Sequence, residues 1–170
     1  MAPHDDHIVY MKMALEEAEK AVPVPGAFCV GCVLVARLLH KSVVLSTGYS
    51  RELPGNTHAE ANALAKVAEI SPKEWSALSE SYEASSDLSK ILECTDVYTT
   101  LEPCSIRTSG LSPCADALIK AKVRRCIIGV NEPPDFVKCE GADRLKAAGI
   151  EVIWLSGMEE DCLRVARKGH

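Results

Sequence analysis

Aromatic residues make up only 5% of this 170-residue chain. So few rings leave little with which to build the base-stacking platform that single-stranded nucleic acid requires. An excess of positive charge is also missing: 19 Lys and Arg stand against 24 Asp and Glu, a formal charge of −5. Phosphate-backbone binding rests on clustered positive charge, so it is not the main business of this chain. No long apolar run occurs. The longest, Ala27 to Ala36, is ten residues and contains Gly31, against roughly twenty for a membrane-spanning helix. The opening Met-Ala-Pro-His-Asp-Asp-His is acidic and leads into no apolar segment, so it is not a secretory signal. These absences predict no nucleic-acid partner, no membrane partner and a cytoplasmic location, with the nucleus also accessible.

What is present suits a folded domain. Hydrophobic residues make up 47% and charged residues 25%, the balance of an ordinary soluble globular protein. The length falls within the ~100–200 residues of one domain, so residues 1–170 are expected to form one. Eight cysteines would suit four disulfides in a secreted chain. Without a signal, and with a core of its own, reduced thiols or metal ligands are the better reading.

Periodicity predicts alternating elements. Ile8, Met11, Leu15 and Ala18 form one stripe of a helix over 5–21, stopped by Pro23, Pro25 and Gly26. Ala27–Val35 and Ser42–Ser46 read as two strands, an antiparallel pair around a turn near His40–Lys41. Further along come a helix over Thr57–Ile70, a strand over Thr95–Leu101 and a helix over Ser112–Lys122 opened by Ser then Pro. A strand over Arg125–Val130, a helix over Gly141–Ala148, a strand over Ile150–Leu155 and a helix over Glu159–Lys168 close the chain. Residues 71–93 are Ser-rich and acidic and read as an inserted excursion, with Trp75, Leu78 and Tyr82 on one face of a short helix. Strands alternating with helices predict an α/β sandwich with a largely parallel sheet, the fourth and fifth strands parallel.

Three stretches carry chemistry: His58-Ala59-Glu60, Glu102-Pro103-Cys104 and Pro113-Cys114. A catalytic zinc takes three protein ligands, favours imidazole and thiolate, and keeps a fourth position for water. His58, Cys104 and Cys114 supply such a set, and Glu60 stands two residues from His58 as a candidate base. Each piece has a plainer reading: Thr57-x-x-Glu60 also fits a capping box, and a single Cys is usually a small buried hydrophobe. The conjunction in this order matches the zinc nucleobase deaminase pattern, with the Glu as proton shuttle. Cys29-Val-Gly-Cys32 spells C-x-x-C, but on a strand residues three apart face opposite ways, so it reads as core packing. Lys120, Lys122, Arg124 and Arg125 cluster where a helix ends, which suits the helix dipole better than a nucleic-acid patch.

The order HAE, TLEPCS, PCADALIKAKV, GADRLKAAGIEV resembles the pyrimidine deaminases of riboflavin biosynthesis, within the cytidine deaminase-like superfamily. The likeness covers roughly residues 23–70 and 95–155. Nine residues separate Cys104 from Cys114, where nucleoside and tRNA deaminases usually have PC-x-x-C. A long loop here marks the riboflavin branch, and Thr108-Ser109-Gly110 resembles its fungal type. The resemblance implies a three-layer α/β/α sandwich with a five-stranded mixed sheet of order 2-1-3-4-5, one zinc per chain, and a homodimer. It implies hydrolytic removal of the 2-amino group of 2,5-diamino-6-ribitylamino-4(3H)-pyrimidinone 5′-phosphate, with a ribosyl side chain left open. His58, Cys104 and Cys114 would be ligands and Glu60 the shuttle.

For the substrate, Arg107, Thr108, Ser109 and Gly110 combine charge, hydroxyls and flexible backbone, the parts of a phosphate cradle. Arg51 is a second phosphate candidate, Asn56 and Asn62 candidates for the base or sugar, and the Ala59 N–H a candidate donor to the developing oxyanion. Bacterial relatives carry an Asn in the loop before strand one, where this chain reads Pro25-Gly26-Ala27-Phe28. They also carry a reductase domain after the deaminase; none follows here before His170, which suits a separate reductase. Two other readings are a polynucleotide or nucleotide deaminase of the same superfamily, and a non-catalytic zinc-stabilised scaffold.

Overall fold

The computed structural model describes residues 3–39, 41–71, 73–75, 87–107, 109–133 and 139–169. Its first half runs α1 (Pro3–Glu19), β1 (Gly31–Arg37), β2 (Ser42–Tyr49), α2 (Ala59–Ala68) and α3 (Leu88–Leu92). Its second half runs β3 (Thr95–Leu101), α4 (Cys114–Ala121), β4 (Arg125–Val130), α5 (Gly141–Ala147), β5 (Glu151–Trp154) and α6 (Glu159–Ala166), closed by a 3-10 turn, Arg167–Gly169. The sheet has the order β2-β1-β3-β4-β5. Pairing is antiparallel for β1 with both β2 and β3, and parallel for β3–β4 and β4–β5. The expected order holds, and the sheet is mixed rather than largely parallel, because β1 is antiparallel to both neighbours.

Helices cover both faces. Cys32, Leu34 and Ala36 of β1 meet Ala63 and Val67 of α2, Leu118 of α4 and Leu145 of α5. On the other face Val33 and Val35 meet Met11 of α1 and Cys162 of α6. Because both faces are covered, β1 is a near-continuous apolar run rather than an alternating one, and β3 is buried at every position although Thr95, Asp96, Thr99 and Thr100 are polar. The cysteines of Cys29-Val-Gly-Cys32 part accordingly, Cys32 to the α2 side and Cys29 to a small cluster with Ala18 and Val165. Among the described residues no helix is long and apolar enough to cross a membrane.

Two strand limits differ from the sequence expectation by three residues or more. Strand one begins at Gly31, not Ala27, because residues 22–30 are tied to the chain's end instead: Gly26 N–H bonds Gly169 C=O at 3.2 Å and Cys29 N–H bonds Ala166 C=O at 3.0 Å. Strand two runs on to Tyr49, pairing through Thr47 and Gly48 to the start of β1. His40 of the expected turn, and Leu78 and Tyr82 of the excursion, lie outside the described residues. The excursion's flanks dock on the core through Trp75, Ile91 and Leu92, and Asp87 caps α3 by accepting from Ser89 N–H at 3.0 Å.

Gly48 matters for the site. A Cβ there would lie 2.3 Å from Ala59 O and 2.7 Å from Ala63 N, so only glycine lets α2 lie this close on β2. At the far end of the sheet, Asp96 is fully buried. It accepts from Arg125 Nε and Nη2 at 2.7 and 2.9 Å and from Arg37 Nε at 2.7 Å; Arg37 also reaches Asp6 and Tyr98. Arg125, read as part of a basic run, is thus half of an internal ion pair. Removing one partner of such a pair costs about 3–5 kcal/mol. Asp96→Asn should therefore lower urea-measured stability by about 3 kcal/mol, the low end because Arg37 keeps Asp6. A loss below about 1 kcal/mol would show the cluster to be dispensable.

Candidate active site

Helix α2 starts at Ala59, with His58 in extended conformation (φ −99°, ψ 153°) as its N-cap. The His58 carbonyl accepts the Asn62 N–H at 3.0 Å, while its imidazole makes no capping bond and is left available. Cys104 follows the end of β3, and Cys114 is the first residue of α4. The sequence pairs Ser112 with Pro113 as cap and first turn, but Pro113 itself is the N-cap, with no side-chain bond. Cys104 takes over that duty: its Sγ accepts the Cys114 N–H at 3.3 Å and its carbonyl the Ala115 N–H at 3.2 Å. The orphan donors of a helix start are thereby satisfied by a metal-ligand candidate.

His58 Nδ1 stands 3.5 Å from Cys104 Sγ and 3.4 Å from Cys114 Sγ, and all three ligand atoms lie within 4.8 Å of one another. Tetrahedral zinc with bonds of ~2.0 Å to nitrogen and ~2.3 Å to sulfur separates N from S by about 3.5 Å. The trio fits zinc. Cys114 is buried, whereas His58 and Cys104 are half-buried and line the adjoining cavity, so the centre opens on one side. Hydrogen bonding from the Cys114 thiol, aided by the Cys114 N–H and His58, pushes the Cys104 thiol well down. The same bond, with burial, pushes Cys114 up.

Glu60 is on the first turn of α2, 3% exposed, and lines the same cavity. Its Oε1 is 3.0 Å from Thr99 Oγ1, and that hydroxyl is also 2.9 Å from Leu101 O. Thr99 can therefore serve both states of the acid. It donates to a carboxylate, or accepts from a protonated Glu60 while donating to Leu101. Burial, reinforced by Cys104, raises the Glu60 pKa above the ordinary carboxylate value. The capping-box alternative fails: Thr57 Oγ1 donates to Leu53 O at 3.1 Å and accepts from Asn62 Nδ2 at 3.0 Å.

The cavity holds about 380 Å³. Its walls come from residues 26–30, the loop between β2 and α2, the Cys104–Cys114 loop, and Glu132 and Cys139 after β4. Arg107 and Ser109 are on the wall. Arg107 Nη2 donates to Asn56 O at 2.6 Å; its Nε is buried without a hydrogen-bond partner. No carboxylate pairs with it among the described residues. Thr108 lies outside the described residues. Gly110 (φ +77°) shapes the loop but is off the wall.

The remaining candidates take these places. Asn62 is buried, and its amide donates to Tyr49 O at 2.8 Å and to Thr57, holding the β2–α2 loop rather than facing the cavity. Ala59, whose backbone N–H is the candidate donor, is the first residue of α2 after His58, with its side chain fully buried. Arg51 reaches the wall, but its guanidinium braces the backbone, donating to Val22 O at 2.9 and 3.2 Å and to Phe28 O at 3.0 Å. Asn56 does line the cavity, and its carbonyl positions Arg107. Sequence reasoning passes over Thr99 and Glu132. A Thr on a fully buried strand is the signal for the first, since its hydroxyl must find a partner. Glu102 of the EPC stretch is structural: it accepts the Ala142 N–H of α5 at 3.0 Å.

A five-stranded sheet of this order, one His and two Cys around a single point, and a buried carboxylate beside them define a zinc-dependent deaminase domain. Residues 4–130 match the family described as the cytidine and deoxycytidylate deaminase zinc-binding region, and the chain belongs to that family. It is 43% identical over 170 residues to the diaminohydroxyphosphoribosylamino-pyrimidine deaminase of Schizosaccharomyces pombe, covering all of this chain and 37% of that protein. The crystal structure of Aspergillus oryzae Rib2 deaminase, a C-terminal deletion mutant at pH 4.6, matches with a TM-score of 0.77 and 34% identity over 96% of this chain and 92% of that one. The same deaminase in complex with DARIPP matches with a TM-score of 0.74 and 34% identity, over 96% and 91%. The chain spans about a third of the length of the curated relatives it matches.

Proposed function

We propose that the chain is a hydrolytic pyrimidine deaminase that removes the 2-amino group of 2,5-diamino-6-ribitylamino-4(3H)-pyrimidinone 5′-phosphate, or its ribosyl counterpart, as ammonia. One observation carries this most directly. A metal trio with an adjacent buried carboxylate opens into the same cavity as Arg107, an arginine without a carboxylate partner among the described residues. The S. pombe relative's activity and the A. oryzae complex support the same substrate class. The reading brings with it a homodimer, which light scattering would check, and a cytoplasmic location.

His58, Cys104 and Cys114 would hold zinc, which when bound acts as a Lewis acid that makes water a nucleophile near neutral pH. The remaining work falls to the chain. Glu60 takes a proton from water as its oxygen bonds to the amino-bearing carbon, then passes that proton to the adjacent ring nitrogen. Glu60 carries the second water proton to the amine, the C–N bond breaks, and ammonia leaves. Thr99 follows each change by turning its hydroxyl between Glu60 and Leu101 O. Burial keeps Glu60 basic enough to hold the proton between steps.

The test is ammonia release from the ribityl and ribosyl diaminopyrimidine phosphates, cytidine and deoxycytidylate. The diaminopyrimidines should be turned over with far the higher kcat/KM; a preference for deoxycytidylate would overturn the proposal. Arg107 offers a second check, because one guanidinium nitrogen rests on Asn56 while Nε is unpaired. A charge-assisted contact is worth ~1.5–3 kcal/mol, or roughly ten- to 150-fold. Arg107→Ala should raise KM by that factor for the phosphorylated substrate and leave its dephosphorylated form nearly unchanged. Equal effects on both would remove Arg107 from phosphate recognition.

A further inference from the structure

Glu132 lies two residues beyond β4, on the wall of the same cavity. Strands β3 and β4 run parallel there, and the Glu102 N–H bonds Val130 O at 2.9 Å. Glu132 therefore stands at the carboxyl ends of the parallel strands, the edge where open α/β sheets bind their ligands. It is half-buried, yet no Lys, Arg or His pairs with it among the described residues. No hydrogen bond to its carboxylate is found among the described residues, and the Cys139 thiol on the same wall, a weak donor, turns its single hydrogen to Pro103 O at 3.4 Å. A carboxylate accepts at about four lone-pair positions, so most of its acceptor capacity is unmet. A polar group left like this in a binding cavity discriminates strongly, because a ligand that cannot pair with it is penalised.

The substrate class proposed above supplies the match. Beyond its reacting carbon, a diaminopyrimidine carries a free 5-amino group with two N–H donors, where cytosine has only C–H. We propose that Glu132 selects the aminated pyrimidine by accepting hydrogen bonds from its 5-amino group. The site then reads its ligand with opposite chemistries, Arg107 for the anion and Glu132 for the amine. This rests on the deaminase reading.

The experiment is calorimetric binding to the zinc-loaded protein, using the deaminated product, which keeps its 5-amino group, and the same compound with hydrogen at that position. Zinc content and melting temperature are followed in parallel. The unaltered protein should prefer the 5-amino compound by roughly ten- to 150-fold. Glu132→Ala should bring that ratio near one, and the isosteric Glu132→Gln, which keeps only a neutral acceptor, should give an intermediate value with zinc retained. If Glu132→Ala does not fold, Glu132→Gln decides alone. An unchanged ratio, equal losses on both compounds, or loss of zinc from Glu132→Gln would overturn the inference while ammonia release from the diaminopyrimidine still upheld the function. Turnover of deoxycytidylate alone would sink both.

Discussion

Glu60→Gln should leave a folded, zinc-loaded protein that has lost at least about 100-fold in kcat, since a positioned general base contributes typically 10²–10⁴-fold. The geometry makes this variant discriminating. Gln fits the same buried space, and its carbonyl oxygen can still accept the Thr99 hydroxyl that lies 3.0 Å from Glu60 Oε1. Only proton transfer is removed. Glu60 makes no bond back to Thr57, whose hydroxyl is engaged by Leu53 and Asn62, so the start of α2 should be unaffected. The checks are kcat on the diaminopyrimidine phosphate, zinc per chain and the melting temperature. More than about a tenth of the activity remaining would refute the shuttle role. A large fall in melting temperature with little change in kcat would mark Glu60 as a structural residue of α2.

Why some of this was legible in the sequence and some was not follows from how each residue acts. His58, Cys104 and Cys114 are rare residue types at the edges of elements, and metal chemistry restricts the alternatives, so spacing alone singles them out. Sheet order came through the resemblance rather than through periodicity. The apolar pattern of Gly31–Arg37 says that both faces are covered, but not that β1 runs antiparallel to both neighbours. Residues 27–30 look like strand by composition and are held as loop by the bond of Cys29 to residue 166 and of the preceding Gly26 to residue 169, distant partners that no local window contains. The polar substrate candidates divide for the same reason. Arg51, Asn62 and Arg107 look alike as sequence. Only the fold shows that Arg51 satisfies the Val22 and Phe28 carbonyls and Asn62 that of Tyr49, while Arg107 Nε is left without a partner.

Removing either cysteine ligand should abolish metal binding and turnover together. The purified protein should hold one zinc per chain, and Cys104→Ala and Cys114→Ala should hold none. Cys104 does more than offer a ligand: its Sγ and carbonyl accept the first two N–H groups of α4. Cys104→Ala should thus loosen the start of that helix as well as the metal site, and its melting temperature should fall below that of Cys114→Ala. Zinc that binds only the folded chain adds about 2.7 kcal/mol of stability when free metal is 100 times its Kd. Chelation of the unaltered protein should then lower its melting temperature reversibly and leave both cysteine variants unmoved. Cys29 and Cys32 supply the contrast. Each is fully buried, in separate clusters and outside the trio, so Cys29→Ala and Cys32→Ala should lose some stability and keep the full zinc content. Zinc retained by Cys114→Ala, or lost from a folded Cys32→Ala, would move the metal away from the His58–Cys104–Cys114 centre.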